Sequence, residues 1–385
     1  MKRWLAGFLA VSVVALTACG GAAPTGASGS GSGSDTIKIG WIGPLSGEAK
    51  TYGVSAKMGV DLALEEADFM AGGKRVELVV GDDRGDSTEA VNIATRMLTQ
   101  DGVSAIVGSV TSDPTIAISA LAESYKVPMI TGTATAMGVT MNDDGTRKPF
   151  VFRACFIDPF QGTAAARFAV SELGVKRAAV LYDRGSAYSI GLAESFRTTF
   201  ESGGGTVVAW QSYSGDDTDF SAIMTNVVAQ QPDVLYLPDY YARVSLIAKA
   251  AKDKGLDVPM IGGDGWDSPD LDFATLAGGY FTAHYSDQDT REAVQNFAQK
   301  FQAKYGEKPD SFAALGYDAM SLLLDALGRA GSTDGEAIRA ALQSTKDFPA
   351  VGGSLSFDEF GNPIKSAVLL QVQADGTYKY ITNVD

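Results

Sequence analysis

The chain of 385 residues is poor in the side chains that carry most enzyme chemistry. It has one histidine, His284, and two cysteines, Cys19 and Cys155. A single histidine serves at most one Ser-His-Asp site, and these three residues are too few to close a His/Cys zinc cage. Basic residues are also scarce. Lys plus Arg number 31 against 46 Asp plus Glu, a net charge of −15, which lacks the basic footprint of a nucleic-acid binder. There is no G-x-x-x-x-G-K-[ST] phosphate loop and no G-x-S-x-G elbow. The acidic stretch Asp82-Asp83-Arg84-Gly85-Asp86 lacks the spacing and distal Glu of a calcium loop and reads as a strand end followed by a helix cap. No apolar run is long enough to span a bilayer as a helix, and no cofactor is expected. His284, with no His or Cys near it in sequence, reads as a structural or surface residue. Cys155 reads as a small buried hydrophobe.

What is present starts with an address. Lys2 and Arg3 precede the apolar run Trp4–Leu16, which ends in Leu16-Thr17-Ala18-Cys19. This resembles a bacterial lipoprotein signal, which implies cleavage after residue 18 and lipid attachment to Cys19. Of the fifteen residues Gly20–Ser34, ten are Gly or Ser, a composition that cannot bury enough surface to order itself. The segment 19–34 is therefore a tether, and the body beyond it works outside the cytoplasm, held at a membrane.

That body alternates short apolar strands with amphipathic helices. Strands are expected at Thr36–Ile42, Val76–Gly81, Val103–Gly108 and Val127–Thr131, with helices at Thr88–Gln100 and Pro114–Tyr125 and along the face of Val54, Met58, Leu62 and Phe69. The pattern then restarts with strands at Arg177–Tyr182, Thr206–Gln211, Asp233–Leu237 and Val258–Ile261, and helices at Gln161–Leu173, Tyr188–Glu201, Asp217–Ala229 and Tyr241–Lys254. Two such runs mean α/β architecture with two doubly wound parallel-sheet lobes. Three successive helices (Arg291–Tyr305, Phe312–Leu327, Glu336–Leu342) and a hairpin around Asp375-Gly376 then return to complete them. A ligand is expected beyond the carboxyl ends of the strands, between the lobes.

Three strand ends carry suitable chemistry. At Ser109–Pro114, Pro114 suits a first helical turn and Ser112 or Asp113 suits its cap, so the helix start offers N–H groups and a positive dipole end to a carboxylate. Thr131-Gly132-Thr133-Ala134-Thr135 adds hydroxyl donors. Gly262-Gly263-Asp264-Gly265-Trp266, in the second lobe, sets one carboxylate among glycines beside an aromatic ring, as an ammonium group requires. Tyr182, Tyr188, Tyr240 and Tyr241 lie near second-lobe strand ends and can wall a pocket or simply pack. An anion-friendly lobe facing an acidic, aromatic one is the layout an α-amino acid demands.

From Ile37 to about Tyr380 the sequence resembles the branched-chain amino-acid (Leu/Ile/Val) binding proteins of ABC importers, within the type I periplasmic binding protein fold. The carriers are IGPLSGEAKTYG at Ile42–Gly53, DDRGDSTEA at Asp82–Ala90, FRACFIDPFQGTAAARF at Phe152–Phe168, YSIGLA at Tyr188–Ala193, and DVLYLPDYYARVSLIAKAAKDKG at Asp233–Gly255 leading into GGDGW. The resemblance implies that Ser112, Thr133 and Thr135 hold a ligand carboxylate. It implies that Asp264, with Tyr188 and Tyr240, holds its ammonium, and that Tyr52, Trp41 and Trp266 shape the side-chain pocket. It also implies a three-strand hinge with crossings near Ala154, His284 and Gly353, dividing the body into residues 35–154 plus 285–353 and 155–284 plus 354–385. The implied partners are a small amino acid, the permease subunits of an ABC importer and a membrane through the lipid anchor; the protein is expected to act as a monomer. Departures are Asp at 264 where relatives often carry Glu, Ala136-Met137-Gly138 without the usual Pro, and Trp266 where a smaller residue is common. Relatives of this fold also take amides, urea and aromatic acids, and a sensor for a membrane receptor or an exported enzyme are the rival roles.

Overall fold

The computed structural model describes residues 36–384. The expected signal, Cys19 and the tether lie outside the described residues. Chain order begins β1 (Thr36–Gly43), α1 (Lys50–Glu66), β2 (Met70–Ala71), β3 (Lys74–Asp82), α2 (Ser87–Arg96), β4 (Ala105–Gly108), α3 (Ser112–Tyr125), β5 (Met129–Thr131) and β6 (Val151–Arg153). These strands form one sheet in the order β2-β3-β1-β4-β5-β6, parallel except for the β2 edge. The strand cores are apolar and buried on both faces, as parallel strands covered by helices must be. Asp82 closes β3 by accepting from Leu45 N and the Ser46 hydroxyl, and Asp86 caps α2 by accepting from Glu89 N at 2.9 Å. The acidic stretch is thus a strand end and a cap. Past Arg96 the helix expected to reach Gln100 continues as a π turn, Met97–Asp101, that ends at the left-handed Gly102.

The second sheet is built from α4 (Asp158–Ser171), β7 (Arg177–Asp183), α5 (Ala187–Ser202), β8 (Thr206–Tyr213), α6 (Ser221–Ala229), β9 (Val234–Tyr236), α7 (Tyr241–Asp253), β10 (Met260–Gly262), α8 (Phe273–Leu276) and β11 (Tyr280–Ala283). After α9 (Glu292–Tyr305), α10 (Ser311–Ala330), α11 (Gly335–Gln343) and the small hairpin β12 (Phe348–Ala350) and β13 (Gly353–Leu355), the chain re-enters this sheet as β14 (Ala367–Val372) and β15 (Tyr378–Val384). Its order is β15-β14-β11-β10-β9-β7-β8, with only β14 and β15 antiparallel to their neighbours. The two-lobed α/β architecture expected from the alternation is the one observed.

The late helices return to the first lobe. Side chains of α1, α9 and α10 share a core that includes Leu62, Val294, Phe297, Phe301, Ala313 and Ala314. Phe357 packs on Phe152, and Thr140 donates to Asn362 Oδ1 at 2.9 Å, so the chain still lies against the first lobe at Asn362. Helices α1 and α10 meet backbone to backbone through two glycines. A Cβ on Gly59 would sit 1.9 Å from the Ala313 carbonyl oxygen, and one on Gly316 would sit 2.2 Å from that of Ala56. Neither contact can yield by turning a side chain. Gly59→Val is therefore expected to destabilise the protein by about 3 kcal/mol, read as a lowered midpoint in chemical denaturation at unchanged slope.

Candidate functional site

The carboxyl ends of β4 and β5 face those of β7, β9, β10 and β11 across the cleft between the sheets, the place where an open parallel sheet presents its loops and helix starts. Between them lies a small pocket with about 10 Å³ of free space, lined by Val110, Thr111, Ser112, Thr133, Thr135 and Phe312 from one side and Tyr188, Tyr240, Asp264 and Gly265 from the other. Six of the anticipated ligand residues, Ser112, Thr133, Thr135, Tyr188, Tyr240 and Asp264, are thus brought together.

On the first lobe the working group is the start of α3. Neither Ser112 nor Asp113 caps it, contrary to expectation: both are inside the helix, and Thr111 at the cap position makes no side-chain cap bond. The Ser112 hydroxyl accepts instead from Ala136 N at 3.2 Å, and Asp113 reaches across the cleft to accept from Ala187 N at 3.1 Å. The first turn therefore keeps its dipole end toward the cavity without a carboxylate cap of its own. Thr133 spends its hydroxyl on the Val110 carbonyl, which fixes the loop and leaves its role to the backbone.

On the second lobe everything converges on Asp264, which is 3% exposed. Its Oδ1 accepts from Tyr188 Oη at 2.8 Å and Gln161 Nε2 at 3.0 Å, and its Oδ2 contacts His284 Nε2 at 3.1 Å. Tyr188 Oη also accepts from Gly265 N, and Gln161 Oε1 accepts from Asp264 N and the Thr282 hydroxyl, so the loop carrying the acid is held as firmly as the acid. The Tyr188 ring stacks on Tyr240 at 4.9 Å between centroids. Burial pushes both phenols well above their ordinary range, so both stay neutral, and Tyr188 donates to Asp264. Asp158 is a second buried acid nearby. Burial first, and the charge of Asp264 after it, push its carboxyl up to about 8, so at neutral pH it holds its proton and adds no second anion.

Two residues matter here that sequence reasoning did not place. Gln161 sits in the first turn of α4, within the Phe152–Phe168 block, but nothing local marks it as a partner of residue 264. His284 is not a surface residue: it is buried against Asp264 and its ring stacks on Phe156 at 3.5 Å, as the structural half of the expectation allows. Three expected pocket residues lie elsewhere. Trp41 is buried in the first-lobe core on β1 and does not line the cavity. Trp266 donates its indole N–H to Leu237 O and packs its ring over Gly262, so it props the Asp264 loop from behind. Tyr52 stacks behind Phe312 at 4.2 Å, donates to Gly265 O and accepts from Tyr241 N, which makes it a bond between lobes. Tyr182 pairs with Trp210 away from the cleft. Cys155 is buried as expected, donating to Ala134 O, with burial pushing its thiol up to about 12.

Comparison with known proteins agrees with this geometry. The family model described as "Periplasmic binding protein" matches residues 36–377. The Leu/Ile/Val-binding protein BraC3 of Rhizobium johnstonii is 32% identical over 331 residues, which is 85% of this chain and 88% of that one. A leucine-binding protein of Thermotoga maritima superposes with a TM-score of 0.86 at 37% identity, covering 91% of this chain and 99% of the other. The branched-chain amino acid transporter substrate-binding protein of Streptococcus pneumoniae, solved with isoleucine, superposes at 0.82 and 32% identity with the same coverage. Two α/β lobes closed over a cleft built this way, matched along nearly the whole body, place the chain in the periplasmic binding protein family, as an extracytoplasmic substrate-binding protein.

Proposed function

We propose that the protein is the capture component of an ABC importer and binds a branched-chain or similarly small α-amino acid between its lobes. The observation that carries this reading is the isolation of Asp264. Among the described residues its only ion-pair contact is His284, whose pKa burial lowers below the ordinary imidazole value. A buried carboxylate with neutral donors and no cation is costly unless a positive group is meant to join it. Across the cavity the uncapped start of α3 waits for the opposite charge. Val110 and Phe312 add apolar wall beside these two ends. The names of the relatives, which bind leucine, isoleucine or valine, support the same class.

In this reading residues 36–154 with 285–362, and 155–284 with the tail from Ala367, move as the two lobes. Hinge passages lie near Ala154 and His284, and a third lies at 363–366 rather than near Gly353, because packing against the first lobe persists to Asn362. The body works as a monomer on a tether from a lipidated Cys19 and delivers its ligand to permease subunits in that membrane. Calorimetric titration with the twenty amino acids and with benzoate is the test. One or a few aliphatic amino acids should bind at micromolar or lower Kd. Binding of benzoate with no response to any amino acid would overturn the reading.

A further inference from the structure

The chain passes from the second lobe to the first directly after β11, and two adjacent residues there point opposite ways. Tyr285 packs into the first-lobe core with Leu62, Val294 and Phe297. His284 turns back toward the second lobe and meets Asp264. The imidazole is clamped flat against Phe156, which belongs to the first passage between lobes, just after β6. Its Nδ1 is buried and has no hydrogen-bond partner, so Nε2 is the one nitrogen used, and a carboxylate oxygen can only accept. Nε2 therefore carries the proton and donates.

We propose that His284 is a positioning residue for ligand capture: seated on one hinge passage and stacked on another, it donates to Asp264 Oδ2 and sets the orientation in which that carboxylate meets the ligand's ammonium group. This rests on Asp264 being the ammonium acceptor. Tyr188 and Gln161 hold only Oδ1. Without the imidazole, Oδ2 has no other protein donor among the described residues, and the carboxylate is free to rotate away from the cavity. The same contact couples capture to the hinge, since movement of the second passage moves the ring. His284 works as a neutral donor. Burial, and Lys365 on the third passage, disfavour its protonation, while Asp264 favours it. Arg153 and Cys155 ahead of α4, and Asp158 at its start, are the other titratable groups gathered around this centre. Once protonated, the imidazolium would neutralise the acid that the ligand needs.

The test titrates whichever of leucine, isoleucine and valine binds tightest into the full chain and its Asp264→Asn, His284→Ala and His284→Gln variants from pH 5 to 8. His284→Ala should weaken binding by roughly 10-fold or more, the loss expected for one hydrogen bond to a charged group. His284→Gln, which keeps a donor, should recover most of it at pH 7. Wild-type affinity should fall by up to about 10-fold per unit toward the acid end of this range, as the imidazole takes up a proton, and His284→Gln should lack that component. Asp264 and Asp158 are common to both proteins, so the difference between their profiles isolates the imidazole. If Asp264→Asn loses binding while His284→Ala binds as wild type, or if the two acid profiles coincide, the inference fails and the assignment of Asp264 stands. If Asp264→Asn binds as wild type, that assignment fails and takes the inference with it.

Discussion

Asp264→Asn should abolish practical amino-acid capture while leaving the fold in place. Asparagine has the same shape and can still accept from Tyr188 or Gln161, so the loop keeps its supports, including the Gln161 Oε1 bond to the residue 264 N–H at 3.2 Å. What it loses is the charge and the Oδ2 acceptor that faces His284 Nε2. Removing one member of a buried, hydrogen-bonded charge pair costs about 2–5 kcal/mol, so affinity should fall roughly 30-fold to several thousand-fold. The ligand-free protein should be as stable as wild type or more so, because an acid buried without a cation is a burden until ligand arrives. The charge of Asp264 is also one cause of the raised pKa of Asp158, so in the variant that carboxyl should titrate below about 8. Calorimetry at pH 7 reads the affinity and chemical denaturation reads the stability. Retention of wild-type affinity would show that the ligand presents no ammonium to this acid.

Much of this site was legible before the structure because its parts lie where sequence periodicity breaks. Apolar runs such as Ala105–Gly108 and Met260–Gly262 end abruptly in Gly, Ser, Thr and Asp, and in a doubly wound sheet those breaks are the cleft. What stayed hidden lay on or beside two short strands. β6 and β11 have three and four residues and were not anticipated. Missing β11 is what hid His284. Parallel pairing of β10 with β11 sets Gly262 beside Phe281, so Asp264, two residues past one, and His284, three past the other, emerge side by side at the same sheet end. No local motif encodes that proximity; register does. The tryptophans failed for the opposite reason. Each is close in sequence to a cleft residue, but the ring of Trp266 is drawn behind the loop by the space over Gly262, and the side chain of Trp41 falls on the core face of β1.

Locking the lobes with a disulfide should stop ligand exchange altogether. Thr51 Oγ1, at the start of α1, and Ser268 Oγ, just past the Asp264 turn, lie 3.0 Å apart across the closed cleft. Two cysteines there can reach the roughly 2.05 Å S–S distance without large backbone movement. In a Cys19→Ser background the remaining thiol, Cys155, is buried with its pKa pushed up to about 12, so it does not compete for the bridge. The natural cross-lobe bonds are individually modest. They include Tyr241 N to Tyr52 Oη at 3.2 Å, Ala187 N to Asp113, Ser311 N to Asp267 at 3.0 Å, and the rim pair Arg243–Glu48. Each contributes on the order of 1 kcal/mol, and closing without ligand also buries Asp264 uncompensated. Ligand should therefore tip the balance, by binding the closed state better than the open one. Bridge formation in Thr51→Cys/Ser268→Cys should accordingly be faster with a bound amino acid than without it. The oxidised, loaded protein should hold radiolabelled ligand for hours against excess cold ligand, and a reducing agent should restore release. Oxidised protein that exchanged ligand at the reduced rate would mean that entry does not require the lobes to part, and that the hinge serves something other than access.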